Sequence, residues 1–465
     1  MAVAAGPLRR VALTIALMLA AALPARAETL NDALISAYRT SGLLEQNRAL
    51  LRAAAEDVAV AVSALYPILT YAAGVDYAEP AVDNLTASIT LSSQITLYDG
   101  GRNRLAIEAA EKTVLSLQAR LKVIEQQVLG DAVVAFFDVL AAREFVGLRE
   151  NNLRLITREL RAARDRFEVG EVTRTDISLA EARLAEARSL LAAAEGQLAT
   201  AREVYRAVVG HYPGNLVTPA HPPMPVHSLE AARGVALSQH PLIRQSQFEV
   251  AAADVNVRRA LAGRSPDLTL RGGLTVADGV GRGPMGEPRV GLRRTVGLQL
   301  SGPIYQGGQL DALYRQAVAR ADASRAALRI NVESIRQGVG SAWAQILVSR
   351  AQLDASRRRV AAQQRAFEGV REEARLGART TLDVLTAEQD LLDARTAVID
   401  ASANTYVAAY NLLSSMGLLT VEHLGLPIQT YDAGAYFRTV RSAPVQASPQ
   451  GAAIDRIIKS IGYDH

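Results

Sequence analysis

The stretch Arg166-Phe167-Glu168-Val169-Gly170-Glu171-Val172-Thr173-Arg174-Thr175-Asp176-Ile177 decides the fold. Gly170 ends a helical pattern, and Thr173 or Thr175 with Asp176 can cap the helix that follows, so the segment reads as a tight turn between antiparallel helices. From Ile177 large residues recur at heptad spacing, as Ile177, Leu184, Leu191, Leu198 and Tyr205. Smaller ones run three behind, as Ala180, Ala187, Ala194, Ala201 and Val208. This seam makes the turn the tip of a coiled-coil hairpin.

The same pattern returns as Glu373-Ala374-Arg375-Leu376-Gly377-Ala378-Arg379-Thr380-Thr381-Leu382-Asp383-Val384, with Gly377 placed 207 residues after Gly170. Its seam runs through Val384, Leu391, Val398, Thr405 and Leu412 over Ala387, Ala394, Ala401, Ala408 and Ser415. Upstream of each tip, a proline-free helical pattern starts after a glycine pair: Tyr98-Asp99-Gly100-Gly101 in the first half, Tyr305-Gln306-Gly307-Gly308 in the second. Each run predicts a helix of roughly 100 Å at about 1.5 Å per residue, too long for a compact globular domain. Trp343 stands where Phe136 stands. The chain is an internal duplication.

Before each glycine pair the period changes to two. Leu69, Tyr71, Ala73, Val75 and Tyr77 form one apolar face. After a turn at Glu79-Pro80 and Asp83-Asn84, Ala87, Ile89, Leu91, Ile95 and Leu97 alternate with Thr86, Ser88, Thr90, Ser92, Gln94 and Thr96. The second half repeats this with Leu268, Leu270, Leu274 and Val276, then Val296, Leu298, Leu300 and Ile304. Two strand pairs are predicted, apolar on one face and uncharged or hydroxyl-rich on much of the other, a pattern shared by half-buried hairpins and membrane barrels. A single Ala-rich helix is expected from Leu30 to Leu65, ended by Tyr66-Pro67. Its repeat begins at Ser228.

The second half carries eight extra residues between its strands, in the loop around Arg282 to Arg289, which is expected on the outer face of the cell. Gly279-Val280-Gly281-Arg282-Gly283 in that loop leads to a strand rather than a helix, so it lacks the helix N-terminus that a phosphate site needs.

Arg9 and Arg10, the apolar run Val11 to Leu23 and Ala25-Arg26-Ala27 read as a secretory signal peptide over 1–27. Without it the formal charge falls from +4 to +1, which argues against a nucleic-acid partner. The chain has no cysteine, which excludes disulfides, thiolate metal sites and thioether lipidation. His211, His221 and His227 lack metal-ligand spacing, and no catalytic triad signature is present, so no metal, cofactor or enzymatic activity is expected. The organisation predicted is a first repeat over 28–210, a proline-rich linker over 211–227, a second repeat over 228–417, and a C-terminal segment over 418–465. Val421 to Phe437 should pack against the helices and the remainder should be mobile.

Helix, strand, strand, long helix, tip and short helix, occurring twice behind a signal peptide, resembles the TolC-like outer-membrane factors, exit ducts of type I secretion and multidrug efflux. The fold class is mixed α+β, mainly α. The resemblance implies a homotrimer in which four strands per chain form a 12-stranded transmembrane β-barrel, continuous with a coiled-coil helical barrel in the periplasm. Four strands cannot close, and eight would be filled by their own side chains, so twelve is the first multiple that leaves a channel. Gly100, Gly101, Gly307 and Gly308 would mark the junction of barrel and tunnel. Carried over by position, Arg379 falls on the gating arginine of the family, Asp176 and Thr175 on its partners, and Asp383 on an entrance aspartate. Ala374 replaces a gating tyrosine and Thr386 a second entrance aspartate. The implied partners are outer-membrane lipid, a periplasmic adaptor, and an inner-membrane ABC exporter or proton-driven pump. The rival reading is the adaptor itself, which normally has one hairpin rather than two.

Overall fold

The protein is described by a computed structural model over residues 27–77, 85–224, 226–278, 290–443, 445 and 448–460. The leader before Ala27, the first strand turn and the loop from 279 to 289 lie outside those residues, together with what was expected of them.

In the first half, α1 (Leu30–Thr40) and α2 (Gly42–Ser63) precede β1 (Ile68–Tyr77) and β2 (Leu85–Tyr98). The long α3 (Arg102–Glu168) and the shorter α4 (Arg174–Val209) follow. The second half repeats the order as α5 (Leu229–Gln239), α6 (Pro241–Ala262), β3 (Asp267–Asp278), β4 (Gly291–Ser301), α7 (Gln309–Arg375) and α8 (Thr381–Ser415). Two short helices, α9 (Ala435–Val440) and α10 (Pro449–Ser460), close the described chain. Both long helices have 67 residues, as the equal spacing from glycine pair to tip requires.

The expected single helix from Leu30 to Leu65 is two. Ser41 takes an extended conformation between α1 and α2, and its N–H donates to the Ala37 carbonyl. His240 breaks α5 from α6 in the same way, donating to Ala236. Pro241 supplies the reason in the second repeat, since it disfavours helix at the residue before it. In the first repeat Ser41 and Gly42 stand at the matching positions.

Two compact units divide the fold. One comprises the chain up to Leu44 with Val123–His240 and Ile335–Thr430; the other comprises Glu45–Lys122, Pro241–Ser334 and the chain from Tyr431. In the first unit several small residues of the seam are deeply buried. Ala180, Ala187, Ala394 and Ala401 are at most 3% exposed, which lets the helix backbones approach closely. Ile156 of α3, Ala187 of α4 and Leu385 of α8 form one apolar cluster, and Phe367, Val384 and Leu391 form another, flanked by Leu155 and Ala374.

The second unit holds one antiparallel sheet in the order β1-β2-β3-β4. The tail differs from its expectation. Within the described residues beyond Phe437, α10 forms, and Ile454 is buried with Ala55 and Val440 while Tyr436 and Phe437 pack alongside. The Tyr436 hydroxyl donates to Glu56.

Candidate functional site

The sheet is inside out. Along β2, Ala87, Ile89, Leu91 and Leu97 are exposed, whereas Thr86, Ser88, Thr90 and Ser92 are half-buried. Strand register extends the two faces across the sheet, because residues directly opposite each other share a face, while β1 and β4 are exposed along both faces. Ala73, Ile89, Val276 and Leu292 lie in line on the apolar face. Ala72, Thr90, Thr275 and Arg293 lie in line on the other, where the Thr90 and Thr275 hydroxyl oxygens are 3.2 Å apart. The apolar face is bare: Tyr71 is 83% exposed and Val296 85%. Covering a large apolar side chain gains about 1.5–3 kcal/mol, so a face of this kind is built for an apolar surrounding. No helix among the described residues is long and apolar enough to cross a membrane.

The sheet is also open. β1 and β4 are its edges, each with one row of backbone groups that no other described strand pairs. In hydrocarbon every such group costs several kcal/mol, so an apolar sheet of this kind requires closure.

At the base of the sheet the two glycine pairs turn strand into long helix. Gly100 and Gly101 have φ of 65° and 83°, Gly307 and Gly308 have 59° and 80°, all in the left-handed region. The two exits are not equivalent. Asp99 is buried, and its carboxylate accepts the N–H groups of Gly101 at 2.9 Å and Asn103 at 2.7 Å, capping α3. Gln306 stands at the matching position; its backbone carbonyl accepts from Gln309 just as that of Asp99 accepts from Arg102, so the carboxylate cap is what sets the first exit apart. Arg102 bridges to Asp267 at 2.8 Å, joining the start of α3 to the start of β3.

The two tips share one construction. At the first, Gly170 (φ 80°) donates to Phe167 and Glu171 to Arg166; at the second, Gly377 (φ 76°) donates to Ala374 and Ala378 to Glu373. These are paired Schellman bonds that satisfy the last carbonyls of α3 and α7. Thr173 then caps α4 and Thr380 caps α8, each in a reciprocal box with the aspartate three residues on. The Asp176 carboxylate accepts from Thr173 N–H at 2.9 Å and the hydroxyl at 2.7 Å. The Asp383 carboxylate accepts from Thr380 N–H and hydroxyl, both at 2.9 Å. Those hydrogen bonds hold the Asp383 carboxyl below the ordinary carboxylate range.

Thr175 is exposed in the first turn of α4. Thr386 donates to the Leu382 carbonyl of its own helix at 2.9 Å. Arg379 donates to Glu373 at 2.8 Å, a bond that raises its pKa further. Within one chain, therefore, Arg379 and Asp176 each have a partner in their own tip. Ala374, where the resemblance supplies a tyrosine, is part of the apolar packing beside Phe367.

Above the second tip lies a residue that the sequence did not single out. Glu388 is 4% exposed; Asn152 of α3 donates to its Oε1 at 2.8 Å, and its Oε2 has no hydrogen-bond partner among the described residues. The available signal was its place in the α8 heptad, one residue after Ala387 and three before Leu391.

The chain matches the outer membrane efflux protein family over residues 36–211 and 233–418, which spans both repeats. It is 36% identical to the outer membrane efflux protein BepC of Brucella suis biovar 1 (strain 1330) over 423 residues, covering 90% of this chain and 91% of that one. The outer membrane protein TolC of Escherichia coli (strain K12) is 26% identical over 450 residues, covering 92% and 88%. In fold, the chain is similar to the crystal structure of the Campylobacter jejuni CmeC outer membrane channel, with a TM-score of 0.74, 16% identity and 90% of each chain covered.

Proposed function

The chain belongs to the outer membrane efflux protein family, and from that membership we propose that it works as a homotrimer whose twelve strands close into one barrel. It is an outer-membrane channel of the efflux and type I secretion kind, located in the outer membrane and extending into the periplasm. Both hairpins fall within the matched residues, which makes it the duct and not the adaptor.

The observation that carries the trimer is the inverted, two-edged sheet. Its bare apolar face suits lipid, its hydroxyl-rich face suits a wet lumen, and pairing β4 of one copy with β1 of the next removes both edges. The helical hairpins then form the tunnel wall, and Gly100, Gly101, Gly307 and Gly308 mark where barrel passes into tunnel.

The tips are the gate in this reading. Arg379 meets Asp176 and Thr175 of an adjacent hairpin when the duct is closed, and Asp383 lines the entrance with Thr386 behind it. The partners are a periplasmic adaptor and an inner-membrane pump, either an ABC exporter or a proton-driven transporter, which supplies the energy for otherwise passive conduction.

A chain without native cysteine allows a clean test. Cysteine at Ala72 of β1, combined in turn with cysteine at 293, 295 or 297 of β4, should for at least one pair give an oxidised ladder reaching a covalent trimer. Ladders that stop at dimers for every pair, or monomers throughout, would refute the β4-to-β1 closure.

A further inference from the structure

The lumen-side face of the sheet is made of threonine, serine, glycine, alanine and amide side chains over most of its length, so its few charges dominate the field there. Four charged residues of the described strands lie on it. Asp267 stands at the base and is already bridged to Arg102 at 2.8 Å. Asp76 stands near the opposite end of β1, paired in register with Thr86. Between them lie Arg271 of β3 and Arg293 of β4, both exposed.

Arg271 is in line with Gln94 on one side and Gly297 on the other, so no carboxylate flanks it. Arg293 is in line with Thr275, which is in line with Thr90. Four residues of β3 separate the two levels, about 13 Å along the strand. Arg294, next in sequence to Arg293, falls on the apolar face with Leu274 and Leu91. Adjacent arginines thus look to opposite sides of the same sheet.

We propose that Arg271 and Arg293 make the barrel segment of the duct selective for anions, so that it favours cargo bearing carboxylate, phosphate or sulfate groups. This rests on the trimeric barrel proposed above, in which each position becomes a ring of three. Two stacked rings then put six guanidinium groups on a lumen whose unbridged carboxylates, among the described strands, are the three copies of Asp76. Charged rings along a pore attract ions of opposite sign, and low-dielectric walls strengthen the effect. Arginine suits the task because its planar fork pairs with carboxylate and phosphate oxygens in two-point contacts and it stays charged at every working pH. A polyanion offered at the strand end meets the arginine rings before it reaches the tips.

The test uses the full-length protein in planar bilayers, with inositol hexakisphosphate added to the chamber facing the strand end of the duct. The unmodified channel should be blocked. The variant Arg271→Gln with Arg293→Gln should need at least about tenfold more polyanion for the same block, and its reversal potential in a salt gradient should move toward cations. Arg294→Gln should behave as the unmodified protein. Equal block and equal reversal potential in the double variant, with channels still forming, would overturn the anion selectivity and leave the barrel intact. A response to Arg294→Gln in place of the double variant would instead show that the faces of the sheet are reversed, and the trimeric barrel would fail with it.

Discussion

Glu388 occupies a site that suits an uncharged carboxyl. Burial is the main cause that raises its pKa to about 7; Glu159 adds to the shift, while the Asn152 hydrogen bond, Arg183 and Arg371 oppose it. A folded-state value above the ordinary one means that the contribution to stability is complete at low pH and is lost as pH rises through about 7. The change is on the order of 3 kcal/mol per protomer, from about 1.4 kcal/mol per pKa unit. Melting of the detergent-solubilised protein should therefore fall between about pH 4.5 and 7 and level off above that, and Glu388→Gln should flatten that part of the profile; parallel profiles would remove Glu388 from the explanation. At the tip, Arg379 has a local partner in Glu373 that competes with any partner on a neighbouring hairpin. Arg379→Ser should raise single-channel conductance, and Glu373→Ala, by freeing the guanidinium, should lower it. Changes in the same direction would place the latch elsewhere. Asp383→Asn keeps an acceptor for Thr380 but removes the charge, so a loss of cation preference without loss of thermal stability would assign Asp383 to the entrance, and unchanged selectivity would leave it as a cap. The capping role was legible in Thr-x-x-Asp, because that chemistry is local. The burial of Glu388 was not, because it depends on Asn152, far away in sequence.

At the level of elements, the duplicated text predicts equal parts, and the structure shows where they differ. The two long helices and both tips match, since heptad spacing, glycine position and capping box are all local signals. The glycine exits do not. A Cβ on Gly100 would lie 2.4 Å from Ser265 Cβ, whereas the surroundings of Gly307 are open. Both substitutions by alanine force a left-handed backbone that costs about 1–2 kcal/mol, but Gly100→Ala adds a collision with the turn before β3. It should abolish heat-resistant oligomers on gels under conditions where Gly307→Ala retains them. Equal loss would mean that backbone strain alone decides. The break at His240 was readable from Pro241, and its counterpart at Ser41 follows from aligning the repeats. The helix α10 was harder to read, since Ile454 is buried by Ala55 and Val440, and only Val440 is near it in sequence.

For the whole molecule, the decisive feature is a sheet whose apolar side chains face outward. Alternation along Ala87 to Leu97 was visible in the sequence, but a half-buried hairpin has the same period. The register of the four strands together with the exposure of the apolar side chains of β2 separates the two. In the trimeric barrel proposed above, that inversion puts lipid outside and water inside and gives Arg271 and Arg293 a common lumen. The orientation is tested most directly by single spin labels on the cysteine-free chain, reconstituted in lipid and read by collision with oxygen or with a water-soluble nickel chelate. Labels at Ile89 and Leu298 should collide with oxygen and be shielded from the chelate, as in lipid. Labels at Thr90 and Gln299 should be reached by the chelate, as in water. The reverse pattern at both pairs would contradict the barrel.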